Sequence, residues 1–345
     1  MKIGIASAAG AALAAGLSQA ALAAPAYDAA RDPVNQHLAA ATRAAGLDYP
    51  ALVARICIVP QAGLDAATRL AAQAARPAGA TPQQPPVPPR AEWYQPPVKV
   101  FDNFYFVGTS EHNAWILKTS DGLILIDTLF EWAVRPEIIE GAQKLGLNPR
   151  DIKYVIISHG HGDHNQGAKI LQDMGAHVLM SAADWDLTLN GRPMPGGNPR
   201  RDMVVTDGQK LTLGDTTVTL HLTPGHTPGT VSVIFPVKDK GVTRIVAYPG
   251  GTAFNFQLTA ERFQTYIDSQ RRFAKAAADA GATILLSNHS QFDDAWHKAR
   301  LLQTLAPGEP NPFLVSNGVQ RYMTVLAECA EAQRERFIQD AAAGR

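Results

Sequence analysis

The chain has 345 residues, is 46% hydrophobic and carries 31 basic against 31 acidic residues. That length can bury the core of one large domain or two ordinary ones. The balanced charge, with no Lys/Arg block, excludes the electrostatic footprint of a nucleic-acid binder.

At the N-terminus, MKIGIASAAGAALAAGLSQAALAA holds one lysine, then an uncharged small-residue stretch, then Ala21, Leu22 and Ala23 as a small-x-small cleavage site. Residues 1–23 therefore read as a signal peptide, with a mature chain from about Ala24. The stretch is richer in Ala and Gly than a membrane anchor, and no second apolar run of spanning length follows. The expectation is an exported protein, periplasmic or secreted, with no stable membrane anchor after signal removal. In an oxidising compartment Cys57 and Cys329 are expected to pair, two being the smallest even count, tying the N-terminal segment to the last helix. The other reading is two unrelated buried thiols.

PVNQHLAAATRAAGLDYPALVARICIV has apolar residues at three- and four-residue spacing and reads as helical. RPAGATPQQPPVPPRAEWYQPP, residues 76–97, is too rich in Pro for a helix or sheet interior and reads as an extended linker or wrapping segment. Residues 24–97 then form a helical segment plus linker, and the main domain occupies 98–345. It opens with β-type runs, VKVFDNFYFVG, NAWILKT and LILID, the last two joined by the turn SDG. YVIIS, Tyr154 to Ser158, is a fully apolar strand, followed by a polar loop, the helix AKILQDM ending at Gly175, and the strand HVLMS. Strands follow at QKLTL, TVTLHL, TVSVIF and TRIVAY, then a helix from about Thr259 to Ala280, the strand TILLS and a C-terminal helical region. This order suggests two packed sheets covered by helices, an α+β fold.

Three strands each deliver a histidine just beyond their ends: His159 after YVIIS, His226 after TVTLHLTPG and His289 after TILLSN. Loops at strand ends are where rigid scaffolds place ligands. Within SHGHGDHNQG, His159 and His161 can share a side while Asp163 and His164 project elsewhere, so one loop can serve two ions. Zinc takes imidazole and carboxylate donors, and a catalytic zinc has three protein ligands plus solvent. His159, His161 and His226 suit one Zn(2+), and Asp163, His164 and His289 a second. Such a pair can hold a shared hydroxide near neutral pH. Imidazole-rich sites also accept iron, manganese or cobalt. The bland alternative is a solvated His-rich loop, which would leave H-x-H-x-D-H, TPGHTPGT and the distal histidine a coincidence of spacing. Gly160, Gly162, Gly225 and Gly229 are expected to supply the backbone angles of tight loops.

SHGHGDH, TPGHTPGT, LILID and LLSNH together resemble the metallo-β-lactamase superfamily, over about Val98 to Arg345. The resemblance implies a four-layer αββα sandwich, two mixed sheets face to face with helices outside, and a dinuclear zinc site with the six ligands above. It also implies that Asp127, ending LILID, supports the metal loop by hydrogen bonding. Where many members carry a metal-bridging aspartate, this chain has PGGTAFN. That absence, with His159 filled, PPVKVFDNFYFVGTS, NPFLVSNGVQRYM and the signal, is most similar to the third subclass of class B β-lactamases. Gly162 and Ser290 depart from it, since a bulkier residue and Pro are usual there.

The implied activity is hydrolysis of a β-lactam amide, a small-molecule substrate, through a zinc-bound bridging hydroxide oriented by Asp163 as catalytic residue. Alternatives are another ester, a lactone, a thioester or a phosphoester as substrate, or a non-catalytic periplasmic metal-binding protein. His112, Tyr248, Thr252 and Asn255 are candidates for the substrate pocket. His221 reads as a structural strand residue, Trp115 and Trp132 as core or rim aromatics, and GGNPRRD, 196–202, as a basic loop able to meet a substrate carboxylate. His37, His177 and His297 have no motif context, and nothing in the sequence sets an oligomeric state.

Overall fold

The computed structural model describes residues 32–58 and 86–342; the expected signal peptide and the first half of the Pro-rich stretch lie outside them. Helix α1 (Pro33–Ala45) ends at Gly46, whose φ of 54° breaks the run expected to continue, and Pro50 starts a second helical turn reaching Ile58. The described part of the Pro-rich stretch contains one helical turn, Arg90–Trp93, directly after the prolines. Trp93 is buried there, its indole N–H donating to Pro88 O (3.0 Å), its ring 4.6 Å from that of Trp132. The segment wraps the body.

Seven strands then form one sheet in chain order: β1 (Val98–Phe101), β2 (Phe104–Phe106), β3 (Trp115–Thr119), β4 (Gly122–Ile126), β5 (Ile152–Ile156), β6 (His177–Ser181) and β7 (Met203–Val205). It is antiparallel from β1 to β4 and parallel from β4 to β7, the parallel crossovers carrying α2 (Ala168–Asp173) and α3 (Ala182–Asn190). The second sheet takes β8 (Gln209–Leu213), β9 (Thr216–Leu222), β10 (Val231–Asp239), β11 (Val242–Tyr248) and β12 (Ile284–Leu285), with β12 parallel to β11 and the rest antiparallel. TILLS yields only two residues of ladder, Ile284 and Leu285, flanked by the hydrogen bonds Thr283 N to Ile245 O (2.9 Å) and Leu286 N to Ala247 O (3.1 Å). Helix α4 (Ala260–Asp279), capped by the Thr259 side chain, and α5 (Gly318–Ala342) cover this sheet.

Alternation along strands sorts side chains between layers. Val231, Val233, Phe235 and Val237 of β10 point between the sheets, against Phe104, Trp115 and Ile126, while Ile234 points out to Phe273 and Tyr322 under the helices. On the other outer face Ile116, Val155 and Val178 meet Ile138, Leu171 and Trp185. The result is the four-layer sandwich, two mixed sheets with helices on both outer sides. Cys57 and Cys329 form a disulfide between the N-terminal helical segment and α5. Arg321 of α5 donates to Ala44 O (2.9 Å) and Ala45 O (2.6 Å), capping the end of α1. Among the described residues no helix is long and apolar enough to cross a membrane.

Candidate metal centre

The six sequence-predicted donors converge at one edge of the sandwich, four from the loop after β5 of the first sheet and two from loops after β9 and β12 of the second. The ligand atoms of His159, His161 and His226 lie within 4.8 Å of one another, with His159 Nε2 3.0 Å from His226 Nε2. Asp163 Oδ2 is 3.2 Å from His164 Nε2 and 3.4 Å from His289 Nε2, and the two imidazole nitrogens are 3.2 Å apart. The rings of His159 and His164, 4.3 Å between centroids, join the two groups.

Each ring is aimed from behind. A carbonyl can only accept, so His159 Nδ1–H donates to Gly250 O (2.8 Å) and His226 Nδ1–H to Ala253 O (2.7 Å), which turns a bare Nε2 toward the cluster. His164 Nδ1 donates to Asp127 Oδ2 (3.0 Å). Asp127 also accepts from Ser158 N (2.7 Å), Ser158 Oγ (2.8 Å) and the Tyr248 hydroxyl (2.7 Å), so four donors fix a carboxylate with no solvent exposure. Its φ of 61° is the left-handed geometry that swings the carboxylate under the loop, a strain placed where a site needs it.

Burial, followed by the neighbouring imidazoles, holds His159 well below the ordinary histidine range and His226 down to about 3. Burial, then His112 and His164, does the same for His289. For Asp163 burial acts upward, but His164, His112 and His289 outweigh it and keep the carboxyl well below its usual range. Burial acts downward on His164, but Asp163 and Asp127 outweigh it and raise it to about 10, so this ring has to release a proton to bind a cation. Neutral His159, His226 and His289 and an ionised Asp163 are already in the protonation states that metal coordination requires, so the donor set fits divalent cations.

Several expectations are corrected by placement. Tyr248 does not line a pocket: it lies in the core between the sheets and serves Asp127. Thr252 is also buried, 3.1 Å from the Tyr322 hydroxyl and 3.4 Å from Ser287 Oγ, because the chain beyond β11 runs beneath the cluster. Asn255 does face a cleft of about 470 Å³, with His161, His226, Phe256 and Arg262 on its walls. His112 lies against the cluster, 3.5 Å from Asp163 Oδ2. Arg201 of the basic loop is paired with Asp186. His221 is half-buried with its ring against Phe273, and Trp115 is core. Trp132 stacks on Phe130. Of the four loop glycines only Gly225 has a left-handed φ (151°); Gly229 is there for space, since a Cβ would sit 1.9 Å from Ser181 Oγ. The PGG segment follows the same logic, a Cβ at Gly250 falling 1.9 Å from Val231 O and one at Gly251 2.5 Å from His226 Cβ. No carboxylate can be carried there.

Asp184, at the start of α3, was not legible as a site residue. It accepts from Gly160 N (2.7 Å), Thr227 Oγ1 (2.7 Å) and Gly229 N (2.9 Å), locking the two histidine loops together. The only local signal is an acid in the first turn after Ser181, which caps the helix.

Residues 107–242 match the family described as the metallo-beta-lactamase superfamily. The solved structure of BJP-1, a subclass B3 metallo-beta-lactamase of Bradyrhizobium japonicum, is 30% identical with a TM-score of 0.59, over 73% of this chain and 97% of that one. Metallo-beta-lactamase domain-containing protein 1 of Xenopus laevis is 27% identical over 172 residues, 48% of this chain and 65% of the frog protein. A hydroxyacylglutathione hydrolase of Acidiphilium cryptum is 33% identical over 127 residues, 36% of this chain and 45% of that enzyme. The chain thus spans less than two thirds of the length of these two curated relatives.

Proposed function

Because the chain belongs to the metallo-β-lactamase superfamily and has its hydrolase fold, we propose that it is an exported dinuclear zinc hydrolase that opens the amide of β-lactams. The observation that carries this reading is the convergence of His159, His161 and His226 beside Asp163, His164 and His289, with glycines where a bridging carboxylate would stand. Zinc ions held by these two triads would lower the pKa of a shared water toward neutrality and polarise the carbonyl under attack. The chain's own residues do the positioning. Asp163 offers a carboxylate to orient the attacking water. Asp127 and the carbonyls of Gly250 and Ala253 hold the imidazoles in the tautomer that presents Nε2. The cleft beside His161 and His226 receives the substrate, and Arg262 on its wall suits a substrate with a carboxylate. The disulfide supports export, since such bridges persist in oxidising compartments.

The likeness to a hydroxyacylglutathione hydrolase favours a second reading, in which the same centre cleaves a thioester, lactone, other ester or phosphoester. Metal content and turnover of a chromogenic cephalosporin, measured on one sample, test the first. Two zinc ions per chain, hydrolysis lost to a chelator and restored by zinc, are expected. A lactone or thioester rate far above the lactam rate would transfer the assignment to the second reading, and a zinc-loaded protein inert to the whole panel would leave a metal-binding protein without turnover.

A further inference from the structure

The loop before β3 brings a seventh ligand-type side chain to the cluster. We propose that His112 is a fourth protein ligand of the metal site formed by Asp163, His164 and His289, an inference that rests on the dinuclear reading above.

The distances carry it. A tetrahedral zinc with bonds of about 2.0–2.1 Å has ligand atoms about 3.3–3.4 Å apart along every edge. Here Asp163 Oδ2 is 3.2 Å from His164 Nε2, 3.4 Å from His289 Nε2 and 3.5 Å from His112 Nε2, while His164 and His289 are 3.2 Å apart. These are four of the six edges of one such polyhedron; His112 takes the remaining corner at a wider spacing, its ring 4.9 Å from that of His289 and 6.3 Å from that of His164 between centroids. A direct hydrogen bond explains the His112 spacing poorly, because 3.5 Å is beyond the good N–H···O range.

His112 is also held in place. Its ring packs edge-on against Phe130, 5.1 Å between centroids, and 4.9 Å from the ring of His289. His112 and His289 face each other across a short antiparallel bridge. The bridge is stitched by Asn113 N to Asn288 O (2.9 Å) and Ser290 N to Glu111 O (2.9 Å). Side chains reinforce it: Ser290 Oγ donates to Asn113 Oδ1 (2.7 Å), and Asn113 Nδ2 to Ser287 O (2.8 Å). A proline at 290 would lack the N–H that pins the loop. Backbone pairing thus fixes the two imidazoles relative to one another, as a shared ion requires.

The chemical consequence is a division of labour. Three protein ligands leave a position open for substrate, whereas four close the coordination sphere as in structural zinc sites. The His159, His161 and His226 triad leaves a fourth position for the shared water, whereas the other ion, with four protein ligands, would meet that water only as a fifth ligand.

The test is zinc titration of the chelator-stripped full chain against a chromophoric competing chelator, for wild type, H112A and H112N, with the visible spectrum of the Co(II)-loaded forms as a second readout. Wild type is expected to take two ions. In both variants one ion should bind as before and keep its Co(II) bands, and the other about 10- to 100-fold more weakly, with its share of the visible Co(II) absorption changed. Matching thermal unfolding of the metal-free proteins shows that the variants fold, and H112N keeps a polar side chain should H112A not. Two ions bound with unchanged affinities and spectra in a folded variant overturn the role of His112 alone. Fewer than two ions on wild type overturn the dinuclear reading and this inference with it.

Discussion

Asp127 has more hydrogen-bond partners than a carboxylate usually finds, and Tyr248 is the one among them that pattern reading placed wrongly. If Tyr248 serves Asp127 and not the substrate, Y248F removes one hydrogen bond to a charged acceptor, at a cost of about 1.5–3 kcal/mol in stability. KM should be unchanged. D127N, which spoils the acceptor for His164, should weaken metal binding roughly 10- to 100-fold. Denaturant melts and chelator competition check the pair, and a Y248F enzyme of wild-type stability with a raised KM would return Tyr248 to the pocket. The donors themselves were legible because spacing is local: His159, His161, Asp163 and His164 lie within six positions, and His226 and His289 each follow an apolar strand. Asp184 was not legible, since its partners Thr227 and Gly229 lie 43 and 45 residues away and only the packing of two loops brings them together.

Elements were easiest to read where burial is one-sided or complete. The even-numbered and odd-numbered residues of β10 go to different cores, and the apolar run of β5 is sealed on both faces. Boundaries failed where one backbone angle decides them, as at Gly46, and at β12, whose ladder with β11 covers only two residues. The N-terminal segment is a case of its own: Ala41, Ala45, Leu52 and Ile56 complete the core beneath α5, and the disulfide fastens them across 272 residues of sequence. The double variant C57S/C329S should lose about 2–5 kcal/mol while metal content and turnover stay as they are, because neither cysteine approaches the cluster. Urea unfolding of oxidised wild type, reduced wild type and the variant checks this. Equal stability in all three would mean that helix packing alone secures the segment.

At the scale of the whole molecule, stability should depend on pH through Glu137. Burial raises its carboxyl to about 8, against the opposing effects of the Gln95 N–H, Arg90 and Lys144, and its Oε2 has no hydrogen-bond partner among the described residues. The native chain keeps a proton there that the unfolded chain, with a value near 4.5, releases. Stability contributed by the neutral form is therefore fully present at low pH and declines between about 4.5 and 8. E137Q keeps an acceptor for Gln95 N (3.0 Å) and removes the titration. At pH 8 it should be stabler on the order of 3 kcal/mol, with the two proteins converging toward pH 5. Parallel slopes from pH 5 to 9 would show that this carboxyl is ionised in the fold.

Four donors hang from one sheet and two from the other, so cations at this edge would be rivets added to the few hydrogen bonds that already cross between the halves, Tyr248 to Asp127 and Thr227 to Asp184 among them. Their arrival would change the mechanics of the molecule as well as its reactivity. The metal-free edge would be pinned by those hydrogen bonds alone, and the loaded one clamped by cations as well.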